Sequence, residues 1–304
     1  MFFFQKLFRQ PQGSADATPS EGLEAKLAEY DQAIAHGADN NDIWFRRGCI
    51  QFELKRYQEA ISSFNRALAH RPNHLDSWHN QALVYCQLGL YEEAINNCEQ
   101  AFKIGVVPSQ DWYFHGTLLA QLDRYEEAIE SYDQALKMDP ERPLIWYDRG
   151  IALSWLSCFE DAIVSYDQAL SLDPYLHQAW FRRGLALNQC QDYLQALQSF
   201  EQALTINAKN SETWAAKGLA LLQLRQYEEA ISAHEQALKL NESDDQVWYN
   251  KACCHAHRRQ LALAINSLEQ AIRLNPESIR ELASTDPDLQ FLHDQPAFQK
   301  LLAA

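Results

Sequence analysis

The sequence predicts an all-α protein built from repeated pairs of antiparallel helices. Two observations support this fold class. Seven of the eight tryptophans follow one another in steps of 34 residues, and apolar residues recur every three or four positions between them. The seven repeat tryptophans are Trp44, Trp78, Trp112, Trp146, Trp180, Trp214 and Trp248.

Each repeat carries the same residue types in the same order. A small residue such as Gly150 follows the tryptophan by four positions, and alanines recur at fixed places in the second periodic stretch. Small residues let two helices approach closely, and the rings of Trp and Tyr fill the wider space beside them. Pairs such as Glu126-Glu127 suit a helix N-terminus, where the helix dipole favours negative charge. Proline, as at Pro140, ends the second helix.

This order of Trp, small residue, Tyr, Ala, aromatic residue, Ala and Pro at a 34-residue period resembles the tetratricopeptide-repeat family. The resemblance covers seven copies over residues 41–274. It implies a right-handed superhelical α-solenoid whose concave face is lined by the first helices. The sequence departs from the family pattern three residues after each tryptophan, where residues such as Arg149 replace Leu. Proline is also missing in three copies, and Leu261 replaces Tyr in the last.

The two ends of the chain differ from the repeats. We expect residues 1–22 to be a flexible segment with a Phe-rich start, and residues 23–40 to be the second helix of a half-repeat. Terminal repeats need a cover for their exposed apolar face. We therefore expect residues 275–304 to form a capping helix with a folded-back extension. The side chains expected to cover the last repeat are Leu282, Leu289, Phe291, Leu292, Phe298 and Leu301.

Composition excludes several functions. The chain has 304 residues, with 26 Lys and Arg against 41 Asp and Glu, and a net charge of −15. This acidic balance disfavours nucleic-acid partners, which require cations to neutralise phosphates. No apolar run is long enough to cross a membrane. Seven cysteines without a signal peptide predict reduced thiols and a cytoplasmic protein.

The sequence predicts no enzyme, cofactor or metal site. It has no Gly-rich phosphate loop and no local signature of a catalytic Ser or Cys. Cys253 and His257 lie one helical turn apart and could share an ion. A structural zinc site needs four converging ligands, however, and Cys254 and His255 point elsewhere on the helix.

Helical spacing predicts which side chains of the first helices face a ligand. The tryptophan and the residues four and seven positions after it face the core. The residues one, two, five, eight and nine positions after it therefore face the concave side. Rings, guanidinium groups and amides along that side suit a peptide or helix of a protein partner. Each ring either contacts such a ligand or packs between first helices. The candidate partner-binding residues are Phe45, Arg46, Phe52, His79, Asn80, Tyr113, Phe114, Tyr147, Trp155, Phe181, Arg182, Asn188, Tyr249 and Asn250.

The sequence therefore predicts a non-enzymatic interaction scaffold or adaptor, and the polar closing segments favour a monomer. A second interpretation is a membrane-peripheral assembly factor tethered through residues 1–10, where five apolar side chains accompany Lys6 and Arg9. The alternative for this start is disorder or docking on the solenoid. The five apolar side chains are those of Phe2, Phe3, Phe4, Leu7 and Phe8.

Overall fold

The computed structural model describes residues 19–303, and every regular element in that range is a helix. The chain divides into two compact units between Asp123 and Arg124. In the first unit, α2 packs against α3 and α4 packs against α5. Its helices are α1 (Pro19–Ala35), α2 (Asn41–Glu53), α3 (Tyr57–His70), α4 (Leu75–Gln87), α5 (Tyr91–Ile104) and α6 (Ser109–Gln121). Helix α1 begins four residues before the expected half-repeat.

In the second unit, four helix pairs follow α7, and each helix packs on the next. The repeated helices are α7 (Tyr125–Met138), α8 (Pro143–Trp155), α9 (Phe159–Leu172), α10 (His177–Gln189), α11 (Tyr193–Ile206), α12 (Ser211–Gln223), α13 (Tyr227–Leu240), α14 (Asp245–His257) and α15 (Leu261–Leu274). The C-terminal elements are α16 (Pro276–Thr285), the 3₁₀ helix η1 (Pro287–Leu292) and α17 (Pro296–Ala303). The chain is thus a helical solenoid protein.

The turn inside each helix pair uses a left-handed backbone at one fixed place, eleven residues after the repeat tryptophan. Gly89 occupies this place at φ 74°, as expected for a residue without a Cβ. Non-glycine residues adopt the same conformation elsewhere, including Lys55 and Ser157 at φ 60°. The turn geometry is therefore imposed by the packing of the two helices and not by a local glycine signal.

Residue size is matched where the two helices of a pair cross. A Cβ atom added to Gly150 would lie 2.6 Å from Cε1 of Tyr166, which is fully buried. In the last repeat the corresponding residues are Ala252 and Leu268, both fully buried. A large ring on the second helix therefore accompanies glycine on the first, and a smaller side chain accompanies alanine.

The repeat tryptophans make a polar contact as well as packing contacts. The indole N–H of Trp146 donates to the carbonyl of Pro140 at 2.9 Å. Trp214 donates in the same way to Ala208 at 2.9 Å, and Trp248 donates to Glu242 at 3.0 Å. The acceptor is a backbone carbonyl, so the missing prolines at these two places leave the contact intact.

The C-terminal elements cover the last repeat. Leu289 and Leu292 of η1 are fully buried, and Phe298 of α17 is 2% exposed. The expectation for Leu282 is wrong, since this side chain is 40% exposed. The inward residues of α16 are Ile279 and Ala283, four positions apart, and Leu282 lies at the edge of the face that they form.

Candidate functional site

The candidate site consists of first-helix positions one, two, five, eight and nine residues after each repeat tryptophan. We call these positions the first-helix face. In α14 they include Tyr249, Cys253 and His257, and all three lie beside the C-terminal segment around η1. Positions one, five and nine of this helix therefore do share a face, as helical spacing requires.

Most predicted rings of the first unit pack against neighbouring side chains. Phe45 is half-buried and contacts His74 edge-on, with ring centroids 4.9 Å apart. Phe52 is half-buried and packs at an angle on Tyr57 at 6.0 Å. Tyr113 and Phe114 are buried at 7% and 6% exposure. These rings offer little surface to a ligand.

The polar candidates of the first unit are engaged with neighbours. Arg46 is exposed and pairs with Asp42 one turn earlier at 3.0 Å. His79 lies 3.0 Å from Asp111, nitrogen to oxygen. Asn80 donates to the carbonyl of Asp76 at 2.8 Å. Only Arg46 of this group projects mainly into solvent.

The second unit presents a more open group on α8 and α10. Trp155 is 66% exposed, and its ring stacks on Tyr125 with centroids 5.9 Å apart and planes 8° apart. Arg182 is exposed and lies near the hydroxyl of Tyr147. Burial raises the pKa of Tyr147, the nearby Arg182 opposes that rise, and the hydroxyl stays protonated at neutral pH.

Two further candidates lie on α10. Phe181 is half-buried and packs on Phe200 at 6.2 Å. Asn188 is half-buried, and its Oδ1 is buried without a hydrogen-bond donor among the described residues. A buried carbonyl oxygen is stabilised when it accepts a hydrogen bond, and an incoming N–H group would reach this oxygen only after the side chain changes its rotamer.

The candidates on α14 are covered. Tyr249 is 2% exposed, and its hydroxyl donates to Asp286 of the C-terminal segment. Asn250 is half-buried and accepts from Gln246 at 3.2 Å. Tyr249 is therefore not available to a partner in this conformation. The sequence did not predict this contact, because the repeat pattern ends before Asp286.

The basic residues three positions after the tryptophans do not lie on the first-helix face. Arg149 bonds Asp133 on the preceding second helix and Ser165 on the following one, both at 2.7 Å. Its guanidinium carbon also lies 5.9 Å from the centre of the Trp146 ring. We call such a group a cation clasp. Equivalent clasps centre on Arg47 and Arg183. Lys217 and Lys251 keep the pair with the acid 16 residues earlier, at 3.0 and 2.9 Å.

In the sequence these cations are departures from the family pattern, and the structure places them between helices. Each clasp links residues 16 apart in the sequence, such as Asp167, Arg183 and Ser199. That spacing is visible in the sequence and could have identified the clasp. Charged pairs held by three elements contribute to helix register, since the acid, cation and hydroxyl must meet at one place.

Three of the cysteines are not activated nucleophiles. Burial raises the pKa of Cys49 to about 12, of Cys86 to about 11 and of Cys254 to about 12. A thiol reacts as the thiolate, so these groups are unreactive at neutral pH. Within residues 19–303, no helix combines the length and hydrophobicity that a membrane span requires. The predicted membrane contact through residues 1–10 lies outside the described residues.

Comparisons with families identify the repeats. Residues 27–74 and 215–279 match a tetratricopeptide-repeat family, and residues 177–210 match a second one. Residues 53–135 match a family described as subunit 3 of the anaphase-promoting complex, or cyclosome. No curated protein matches the chain at a significant level.

Solved structures show the same fold. YrrB, described as a TPR protein with an unusual peptide-binding site, is 18% identical, with a TM-score of 0.58. The match covers 62% of this chain and 97% of YrrB. The C-terminal part of a TPR protein from Cytophaga hutchinsonii is 19% identical at a TM-score of 0.66, covering 78% of this chain and 98% of that one. A match to the Cut9–Hcn1 assembly of the APC/C is 19% identical at a TM-score of 0.51, covering 92% and 52%.

Proposed function

Since the chain is a tetratricopeptide-repeat protein, we propose that it is a non-enzymatic scaffold that binds an extended segment of a protein partner along α8 and α10. Protein–protein interaction is what the fold suggests in general. The partner segment that we propose carries acidic and apolar side chains. YrrB is described as having a peptide-binding site, and the proposal extends peptide binding, though not that site, to this chain.

The docking of the C-terminal segment on α14 carries this proposal. Asp286 accepts from Tyr249, Asp288 lies 3.0 Å from His257, and Leu289 is fully buried beside them. The first-helix face of one repeat thus already binds a short acidic and apolar segment. At the same positions α8 has the half-buried Tyr147 and the exposed Trp155.

Three groups on α8 and α10 suit such a segment. Trp155 on Tyr125 supplies a rigid exposed aromatic surface, the kind of side chain that dominates binding energy at interfaces. Arg182 supplies an exposed guanidinium group that can donate two parallel hydrogen bonds to a carboxylate. Asn188 supplies a half-buried amide that can bond a backbone N–H after a change of rotamer.

Quantitative affinity purification tests the proposal. The variant Trp155→Ala/Arg182→Ala should lose specific partners that the native chain retains. The matched control is Tyr175→Ala/Arg273→Ala, which removes an exposed ring and an exposed cation away from the first-helix face. Equal capture by the native chain and the first variant would contradict the proposal, and so would equal loss in the control.

A membrane-peripheral assembly factor remains the second candidate, and the apolar and basic residues at positions 1–10 favour it. Sedimentation with vesicles containing anionic lipid tests it. The full chain should sediment with the vesicles, and a chain lacking residues 1–10 should stay in the supernatant. Equal sedimentation of the two would reject the candidate.

A further inference from the structure

Four side chains with metal-binding atoms converge where α14 meets the C-terminal segment. Sγ of Cys253 and carboxylate oxygens of Asp286 and Asp288 all lie within 4.8 Å of one another. Nε2 of His257 lies 3.0 Å from Oδ1 of Asp288. We propose that these four residues bind one divalent transition-metal ion of the zinc class, which joins α14 to the C-terminal segment.

The sequence offered only half of this ligand set. Cys253 and His257 lie one turn apart on α14, and folding adds Asp286 and Asp288, which are two residues apart at the start of η1. Zinc binds sulfur, imidazole nitrogen and carboxylate oxygen, usually four in a tetrahedron. With bonds of 2.0–2.3 Å, tetrahedral ligand atoms are roughly 3.3–3.8 Å apart. For Cys253, Asp286 and Asp288 the observed separations lie within about 1.5 Å of that geometry, and His257 adjoins the group through Asp288.

The existing contacts orient the ligands without using all of their lone pairs. Oδ1 of Asp286 accepts from the backbone N–H of Asp288, and Oδ2 accepts from Tyr249. Each carboxylate oxygen has a second lone pair for an ion. The His257 ring is held flat against Tyr227, with centroids 4.8 Å apart. Hydrogen bonds and packing that position ligands in this way are typical of metal sites.

Burial and charge also fit a cation. Cys253 is 2% exposed, and it faces two carboxylates that are partly buried. A divalent cation would offset the charge of the two carboxylates. A cavity lined by Arg225, His257 and Asp288 provides a route to this place from solvent.

Cobalt and zinc titrations test the proposal on the full chain, with any affinity tag removed and the protein treated with a chelator. We expect one Co²⁺ per chain, an absorption band from cobalt–thiolate charge transfer, and displacement of cobalt by Zn²⁺. Cys253→Ser should abolish the band. Asp288→Asn should weaken zinc binding by about 100-fold or more, since outer-shell groups alone change affinity by 10–100-fold.

The matched control is Cys254→Ser, which removes the neighbouring buried thiol and should keep the cobalt–thiolate band. Circular dichroism establishes that each variant is folded, and the isosteric Asp288→Asn tests the site if a cysteine variant fails to fold. No binding, binding without a thiolate band, or equal zinc affinity in Asp288→Asn would overturn the proposal.

Discussion

Helices α8 and α14 place an aromatic ring at the same repeat position beside different neighbours. Nine residues after the repeat tryptophan, α8 has Trp155 and α14 has His257. Each ring stacks on the tyrosine that begins the preceding second helix, with planes 8° apart. Trp155 is 66% exposed, whereas His257 contacts Asp288 of the C-terminal segment.

The comparison extends to the position after the tryptophan. Tyr147 on α8 is half-buried near the exposed Arg182, whereas Tyr249 on α14 donates to Asp286 and is buried. The repeat therefore determines where these side chains lie, and a segment outside the repeats determines whether they face solvent. A covered face contributes to stability, whereas an open face is available for binding.

The largest expected effect comes from a variant that disrupts the packing of the C-terminal segment on α14. Leu292→Ala removes a fully buried side chain and should lower the free energy of unfolding by about 2–5 kcal/mol, as buried Leu→Ala changes do. Leu194→Ala on α11 is the control, since this leucine is 62% exposed and its loss should cost about 0.5 kcal/mol or less. Urea denaturation measures both, and similar losses would show that η1 contributes no core.

Acid should lower the free energy of unfolding of the second unit, because His234 on α13 is buried next to α14 and resists protonation in the folded state. Burial first, and then Lys251 on α14, lower the pKa of His234 to about 4. The unfolded chain therefore binds the proton more readily between pH 6.5 and pH 4, and stability falls as the pH falls through this window. The loss should reach about 3 kcal/mol at pH 4.

The measurement is urea denaturation of the native chain and of His234→Phe at neutral and acidic pH. Phenylalanine occupies the corresponding place at Phe64 and Phe200, so it should fit opposite Gly218. The variant should lose less stability on acidification than the native chain does. Identical pH dependence in the two proteins would contradict the assignment to His234.

An exchange of side-chain sizes at one helix crossing tests the comparison of α8 with α14 in the core. Gly150→Ala should destabilise the protein by about 1–3 kcal/mol, because the added Cβ meets the buried ring of Tyr166. Adding Tyr166→Leu should recover part of the loss, because α14 and α15 already pair Ala252 with Leu268. Thermal unfolding of both single variants and the double variant measures the coupling, and strictly additive losses would reject it.

The smallest expected effect comes from removing the exposed ring of Trp155. Trp155→Ala should change the free energy of unfolding by only about 0.5–1 kcal/mol, because the ring is largely exposed and loses one stacking contact. Acrylamide should also quench a smaller share of the tryptophan fluorescence in this variant. A loss of stability as large as that of Leu292→Ala would place Trp155 in the core.

Much of the fold follows from the sequence, because repeat contacts are local and periodic. The tryptophan spacing predicted the helix pairs, and the small residue opposite each ring predicted their close approach. The cation clasps were missed because Arg149 and its equivalents were considered apart from their acidic partners 16 residues earlier. The inward side of α16 was also misplaced, with Ile279 buried where Leu282 was expected.

The amino-acid sequence alone determined the helices, their pairing and the positions that form the first-helix face, since each of these depends on contacts within one 34-residue period. Only the tertiary structure decided which positions stay open. The contacts of Asp286 with Tyr249 and of Asp288 with His257 join a unique segment to the last repeat. No periodic pattern specifies where such a segment folds back, because its place depends on the complete surface that the stacked helices present.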